Sequence, residues 1–331
     1  MLEVVLAVFL SEKDVRAVLS MDDLIAAMEQ ALAQYSTGGA RQPLRSVLEA
    51  GSPQALHGVM PAFIERPASL GTKIVTVYAS NTARGLPTHL ATIVLLDPET
   101  GALRAVMDGR YITEARTAAA SAASAKYLAR RDARTLAVIG SGVQARSHIE
   151  ALVRVRPIET IRVWGRTRGH VDALIADMKS EIDATFEAAS SIEHAVHDAG
   201  VIALVTASKE PVLRRDWVSA GAHVCAVGAC RPDQREMDTA LVRDAAVFVD
   251  SRIGALAEAG DIVIPLSEGA ITEQHILAEI GQVVAGTAVG RTSEDVITVY
   301  KSLGMAVEDV AAARLAWERA TERRLGLQFE L

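Results

Sequence analysis

Basic runs, paired cysteines and long apolar stretches are all missing from this chain. No lysine or arginine run exceeds two residues, and 34 basic side chains stand against 41 acidic ones for a formal charge of −7, so no nucleic-acid footprint is expected. Cys225 and Cys230 are the only cysteines, and no second Cys/His pair stands at zinc-binding spacing. That argues against a disulfide framework and a structural metal. The apolar start, Val4 to Leu10, is too short to span a bilayer and lacks a basic flank. It reads as a first strand, with no export and no membrane span. No internal repeat occurs, and no low-complexity tract beyond one alanine-rich segment. The expectation is a folded, soluble, cytoplasmic protein whose 331 residues, half of them hydrophobic, suit two domains.

What is present is concentrated in one stretch. Thr135 to Ala145, TLAVIGSGVQA, runs from apolar residues straight into G-x-G-x-x-A. Gly140 permits a tight strand-to-helix turn, Gly142 lets backbone approach a pyrophosphate, and Ala145 lets helix pack on strand. The N–H groups around Val143 and Gln144 at the helix start would hold phosphate. A second strand-like run, Thr160 to Trp164, leads to Gly165-Arg166-Thr167, where the adenosine ribose would be read. NAD-preferring domains usually carry an acid there, and this chain offers arginines, so NADPH is expected to be preferred, with NADH possible.

Around that motif the texture divides. Ser20 begins a capping box, and Leu24, Ile25, Met28, Leu32 and Tyr35 recur at helical spacing up to Gly38-Gly39, as a single opening helix. Leu44 to Met107 reads as an antiparallel sheet, and Thr113 to Ala129 as an alanine-rich helix leading into the next domain. Apolar runs at 136–139, 161–164, 201–206, 223–227 and 247–249 then alternate with helix-length segments, the pattern of a doubly wound parallel sheet. Met305 to Leu325 reads as a helix returning to the first domain. The expected fold class is α/β: a Rossmann domain over residues 118–304, and a discontinuous α+β domain over 1–117 and 305–331.

Three cations stand out. Lys73 shares a strand face with Val75 and Val77, either as an edge lysine whose head reaches water or as a pocket lysine able to move protons or hold a carboxylate. Arg45 lies on a strand-like run. Arg116 enters the first turn of the alanine-rich helix, where a cation opposes the dipole and suggests a bound anion. Surface salt bridges are the plain alternative for both arginines. Together the three could clamp a carboxylate.

The strings QPLR (Gln42 to Arg45), GVMPAF (Gly58 to Phe63), LGTKIV (Leu70 to Val75), GLPTH (Gly85 to His89), ITEARTAA (Ile112 to Ala119), GSGVQA, VGACRPDQREMD (Val227 to Asp238) and KSLGMAVED (Lys301 to Asp309) occur in this order across almost the whole chain. In them the chain resembles the ornithine cyclodeaminase/μ-crystallin family. The resemblance implies a homodimer formed through the sheet of the substrate domain, with nicotinamide chemistry on an amino or imino acid. It implies Arg45, Lys73 and Arg116 at the substrate carboxylate, with Lys73 also the proton donor. Thr88, His89, Arg116, Thr117, Thr206 and Val227 then fall near the cofactor, and Ser302 and Leu303 on the segment bordering the nicotinamide. Glu258 falls on a pocket wall, or is an ordinary solvated helix residue.

Two departures bear on the branch. Ornithine-cyclising members resemble G-G-D where this chain has Gly228-Ala229-Cys230, and carry a glutamate before M-P where it has Gly58-Val59. A site lacking both acids has lost the groups that bind and cyclise a diamino acid. Cys230 reads as pocket wall, more a packing residue than a nucleophile. The expected reaction is hydride addition to a cyclic ketimine, Δ1-pyrroline-2-carboxylate or Δ1-piperideine-2-carboxylate, giving L-proline or L-pipecolate. Ornithine cyclodeaminase, alanine or another amino-acid dehydrogenase, and a non-catalytic binder of NADPH and a small carboxylated ligand remain the alternatives.

Overall fold

Alternating burial along two ten-residue strands, and unbroken burial along three four-residue strands, separate two sheets of different kind. The computed structural model describes residues 6–51 and 55–330. It divides into two compact units, Met1–Arg116 with Met305–Leu331, and Thr117–Gly304. The first cut falls inside a helix.

The first unit opens with β1 (Leu6–Leu10), so Val4 and Val5 of the expected strand lie outside the described residues. Two helices follow, where one was expected: α1 (Glu12–Val18) and α2 (Met21–Ser36). α1 escaped the periodicity argument because its seven residues bury only Val15 and Val18, although Ser11 and Asp14 close a reciprocal capping box at its start. In α2 the Ser20 side chain accepts from Asp23 N, and Leu24, Ile25, Met28 and Leu32 are buried as their spacing requires. Five strands then carry β2 (Ala40–Arg41), β3 (Ser46–Glu49), β4 (Leu56–Glu65), β5 (Ala68–Val77) and β6 (His89–Leu96) into β7 (Leu103–Asp108). Arg45 sits just before β3 rather than on a strand.

The helix α3 (Arg110–Leu128) begins three residues earlier than expected, with Asp108 Oδ1 accepting from Tyr111 N. Its alanines at 118, 119, 120, 122, 123 and 125 are all fully buried, which small side chains allow without a polar face. The second unit then winds β8 (Thr135–Ile139), α4 (Val143–Leu152), β9 (Thr160–Trp164), α5 (Arg168–Met178), β10 (Thr185–Ala188), α6 (Ile192–Val196), β11 (Val201–Leu204) and β12 (His223–Ala226). It continues through α7 (Thr239–Asp244), β13 (Ala246–Val249), α8 (Arg252–Glu258), α9 (Gly260–Ser267), β14 (Ile276–Glu279), α10 (Ile280–Val284) and β15 (Thr298–Lys301). Every pairing in this sheet is parallel, in the order β10-β9-β8-β11-β12-β15-β13-β14. The order reverses between β8 and β11, the switch point at which doubly wound sheets bind ligands. β10, β14 and β15 were not expected as strands, because each has four residues with a polar group among them. Thr206, read as the end of a strand, lies past β11.

Two buried serine–histidine pairs lie inside this unit. Ser121 Oγ lies 2.9 Å from His148 Nε2, and Ser124 Oγ lies 3.2 Å from His223 Nε2. Burial pushes the imidazoles down to about 4 and about 3, so both are neutral at pH 7. Cys225 and Cys230 are free thiols, and burial pushes Cys225 up to about 12.

The chain returns to the first unit as α11 (Ala306–Arg323), which packs on α2, β4, β5 and β6. The expected helix up to Leu325 ends earlier, at Arg324 with φ 54°, and a further strand, β16 (Leu327–Glu330), pairs antiparallel with β1. The first sheet runs β16-β1-β7-β6-β5-β4-β2, with β3 also on β4. The strands between Leu44 and Met107 pair antiparallel as expected, and β1, from outside that stretch, joins β7 in parallel. No helix among the described residues is long and apolar enough to cross a membrane.

Candidate functional site

In the first unit the chemistry gathers on Lys73. Register sets it between Met60 of β4 and Ile93 of β6, so it is flanked by strands on both sides and only 2% exposed. The edge-lysine alternative therefore fails. An isolated ammonium there would be very costly, and α11 supplies the counter-charge, with Nζ 2.5 Å from Asp309 Oδ2. Burial lowers the Lys73 pKa, Asp309 raises it, and Arg116 and Arg45 lower it again, leaving it at about 8.

Arg116 stands in the second turn of α3, not the first, so the argument from the helix dipole falls away. Its partners are carboxylates: Nη1 donates to Glu308 Oε2 at 2.6 Å and Nε to Asp309 Oδ1 at 2.8 Å. Asp309 thus bridges Lys73 and Arg116. Burial would raise its pKa, but the two cations more than reverse that and hold it below the usual carboxylate range. Glu308 and Asp309 belong to the quoted motif, yet nothing in the sequence marks them as buried. Two acids in a first helical turn ordinarily complement the dipole in solvent.

The QPLR string is tied to the same helix, because Val307 N donates to Gln42 Oε1 at 3.0 Å. Arg45, three residues on, is half-buried and within electrostatic reach of Lys73. His89 opens β6; burial, Lys73 and Arg116 push its imidazole down to about 4, so it is neutral at pH 7. The structure therefore brings Arg45, His89, Arg116 and Asp309 together around Lys73. Among Arg45, Lys73, Arg116, Glu308 and Asp309 there is one more cation than carboxylate, a balance suited to one substrate carboxylate. Thr88 is exposed and its carbonyl accepts from Tyr78 N, while Thr117 is buried on α3.

In the second unit a cavity of about 330 Å³ opens at the switch point, lined by Gly140, Gly142, Gly165, Arg166, Thr167 and Thr206 among others. Gly140 has φ 130°, and a Cβ there would sit 2.6 Å from Val205 O, so only glycine serves. Gly142 caps α4 with no side-chain bond, and open space lies where its Cβ would be. Val143 is 56% exposed, Gln144 is half-buried with Oε1 lacking a hydrogen-bond partner among the described residues, and Ala145 is fully buried. Exposed N–H groups, an unfilled approach and a tightly packed third position fit a dinucleotide pyrophosphate. Arg166 and Thr167 are exposed at the cavity, with Thr167 capping α5.

The remaining candidates also lie in this unit. Val227 follows β12, and Ser302 and Leu303 follow β15; all three are buried, and Ser302 Oγ has no hydrogen-bond partner among the described residues. Cys230 lies four residues beyond the last residue of β12, and its Sγ donates to Val227 O at 3.3 Å. Glu258 ends α8 and is half-buried. No group of His, Cys, Asp and Glu that could hold a metal occurs among the described residues.

The sequence model described as "Ornithine cyclodeaminase/mu-crystallin family" matches residues 6–324. The mouse (Mus musculus) protein named ketimine reductase mu-crystallin is 40% identical over 314 residues, covering 94% of this chain and 96% of its own. The structure of Thermococcus litoralis Δ1-pyrroline-2-carboxylate reductase in complex with NADH and L-proline superposes with a TM-score of 0.94 at 38% identity, covering 97% of this chain and 99% of that one. An archaeal alanine dehydrogenase dimer with bound NAD superposes with a TM-score of 0.92 at 33% identity, covering 99% and 100%.

Proposed function

Because the chain belongs to the ornithine cyclodeaminase/mu-crystallin family, we propose that it is an NAD(P)H-dependent oxidoreductase reducing a cyclic ketimine acid, Δ1-pyrroline-2-carboxylate or Δ1-piperideine-2-carboxylate, to L-proline or L-pipecolate. The observation that carries this reading is Lys73, a buried ammonium titrating at about 8 between an acid and an arginine. Such a group is mostly protonated at pH 7 and gives up its proton readily. Nζ protonates the ring nitrogen, which makes the imine carbon a better hydride acceptor. Arg45 and Arg116 orient the substrate carboxylate, and orientation alone can contribute several kcal/mol to the rate. Neutral His89 offers a hydrogen bond without adding another positive charge. When bound, the reduced nicotinamide supplies the hydride. The proton given by Lys73 Nζ stays on the ring nitrogen, so that C=N becomes CH–NH.

The NADH and L-proline held by the Thermococcus relative support this reading. Gly58 weighs against cyclisation of a diamino acid, since it is buried in β4 and any Cβ there would meet Val75 Cγ1 at 2.9 Å. The likeness to an alanine dehydrogenase favours reductive amination as the second reading. One panel separates them: both ketimines and pyruvate with ammonia, each with NADPH and NADH, and L-ornithine with NAD. Turnover of the ketimines is expected. Ammonia release from ornithine would restore the cyclodeaminase, turnover of pyruvate with ammonia alone would assign the dehydrogenase, and turnover of nothing would favour a binding protein.

The cofactor preference rests on Arg166 and Thr167, which stand where an acid would favour NADH. NADPH is the expected partner of the enzyme. Arg166→Ala should lower kcat/KM for NADPH roughly 10- to 100-fold, the range of a lost charge-assisted hydrogen bond, while sparing NADH. Equal losses with both cofactors would end the assignment. The enzyme acts as a homodimer in this reading, and Leu44, Val47, Leu48, Ile74, Leu86 and Leu90 are exposed apolar side chains of the first unit that a second copy would cover.

A further inference from the structure

Glu236 lies outside the cavity, yet both ends of one cavity wall hang on it. Its Oε1 accepts from Thr206 N at 2.8 Å and from Thr206 Oγ1 at 2.7 Å, and its Oε2 accepts from Gly228 N at 2.6 Å. Its own carbonyl accepts from Val212 N at 2.8 Å and Leu213 N at 2.9 Å. Thr206, Ala207, Ser208 and Val212 line the cavity, so a single residue pins that wall at its start and its finish. The segment after β12 is pinned with it and has no slack, because a Cβ on Gly228 would come 1.9 Å from Thr206 O.

We propose that Glu236 is a positioning residue for the dinucleotide: its ionised carboxylate holds the Thr206–Leu213 wall and the Gly228 turn in the shape that binds the cofactor, and protonating it weakens cofactor affinity. This rests on the reading of the cavity as a dinucleotide site. The carboxylate form alone offers acceptors to all three donors without a competing proton. Behind it, Asp261 Oδ1 accepts from the backbone N of Glu236 and Met237, and Asp261 Oδ2 is 3.2 Å from Lys301 Nζ, which donates to Ala226 O. Cys230 bears electrostatically on Lys301. Burial and Asp261 raise the Glu236 pKa, Lys301 and Thr206 lower it, and it stands at about 7. The group therefore titrates where pH can act on it. Since the ionised form binds better, cofactor affinity rises with pH through about 7, and bound cofactor lowers the carboxyl pKa in return.

Glu236→Gln keeps the volume but replaces an acceptor with an NH₂. Whichever way the amide turns, Thr206 N or Gly228 N loses its partner. NADH binding to the substrate-free protein, followed by nicotinamide fluorescence, is the readout. Wild type should bind several-fold more weakly at pH about 6 than at about 8; Glu236→Gln should bind about tenfold more weakly than wild type at the higher pH, with that slope gone. His170, exposed on the cavity wall, is the other titratable candidate, and His170→Gln should keep the slope. If Glu236→Gln does not fold, Thr206→Val should weaken binding while Thr206→Ser retains it. A folded Glu236→Gln with wild-type affinity and slope, a slope lost in His170→Gln, or equal binding by both Thr206 variants would overturn the proposal. Wild type that binds neither NADH nor NADPH would remove the dinucleotide reading, and this inference with it.

Discussion

Lys73→Met should lower kcat for Δ1-pyrroline-2-carboxylate about a hundredfold or more, the usual scale of a lost general acid, while the protein stays folded. Methionine matches the length of the lysine stem, so little packing is lost in a strand hemmed by Met60 and Ile93. Asp309 keeps its bond to Arg116 and is not left without a counter-charge. The pH profile carries a second signature. A donor whose pKa is lowered from 10.5 to about 8 loses its proton as pH rises through 8, so wild-type kcat should decline on the alkaline side of that value. Near-normal turnover by Lys73→Met would show that the lysine serves only the fold.

Asp309→Asn should have the largest effect on stability, a loss of about 3–5 kcal/mol in chemical denaturation, because it strands Lys73 and Arg116 in the interior with one fewer acid between them. Its effect on the reaction follows the same electrostatics: without the carboxylate the ammonium is less favoured, and the alkaline edge of kcat moves below 8. Adding Lys73→Met to Asp309→Asn should recover part of the stability, since neither half of the pair then remains uncompensated. A loss below about 1 kcal/mol, or strict additivity in the double variant, would mean that water reaches the cluster and the pair is not insulated.

These expectations turn on residues whose roles were unequally legible. The turn from Gly140 to Ala145 is local, and its meaning sits in six consecutive residues, so sequence and structure agree there. Lys73 could be assigned to a strand face by alternation, but not to burial, because the flanking strands and the helix over it come from distant segments. A few residues of helix boundary decide the place of Arg116: Asp108 starts α3 earlier than the alanine pattern does. Glu308 and Asp309 look like solvent-facing acids at a helix start, and only the packing of α11 on β4 and β5 turns them inward. Glu236 offered no signal at all, since its importance lies in which backbone groups fold around it.

The order in which the chain is made has a consequence for this arrangement. Arg116 and Asp309 are 193 positions apart, an interval of on the order of ten seconds or more on a ribosome. Throughout it, Lys73 and Arg116 wait without the acid that makes their burial affordable. The unit from Thr117 to Gly304 is contiguous and ends before that acid is made. A chain halted just after residue 304 would therefore hold every residue of that unit while Lys73 and Arg116 still belonged to water.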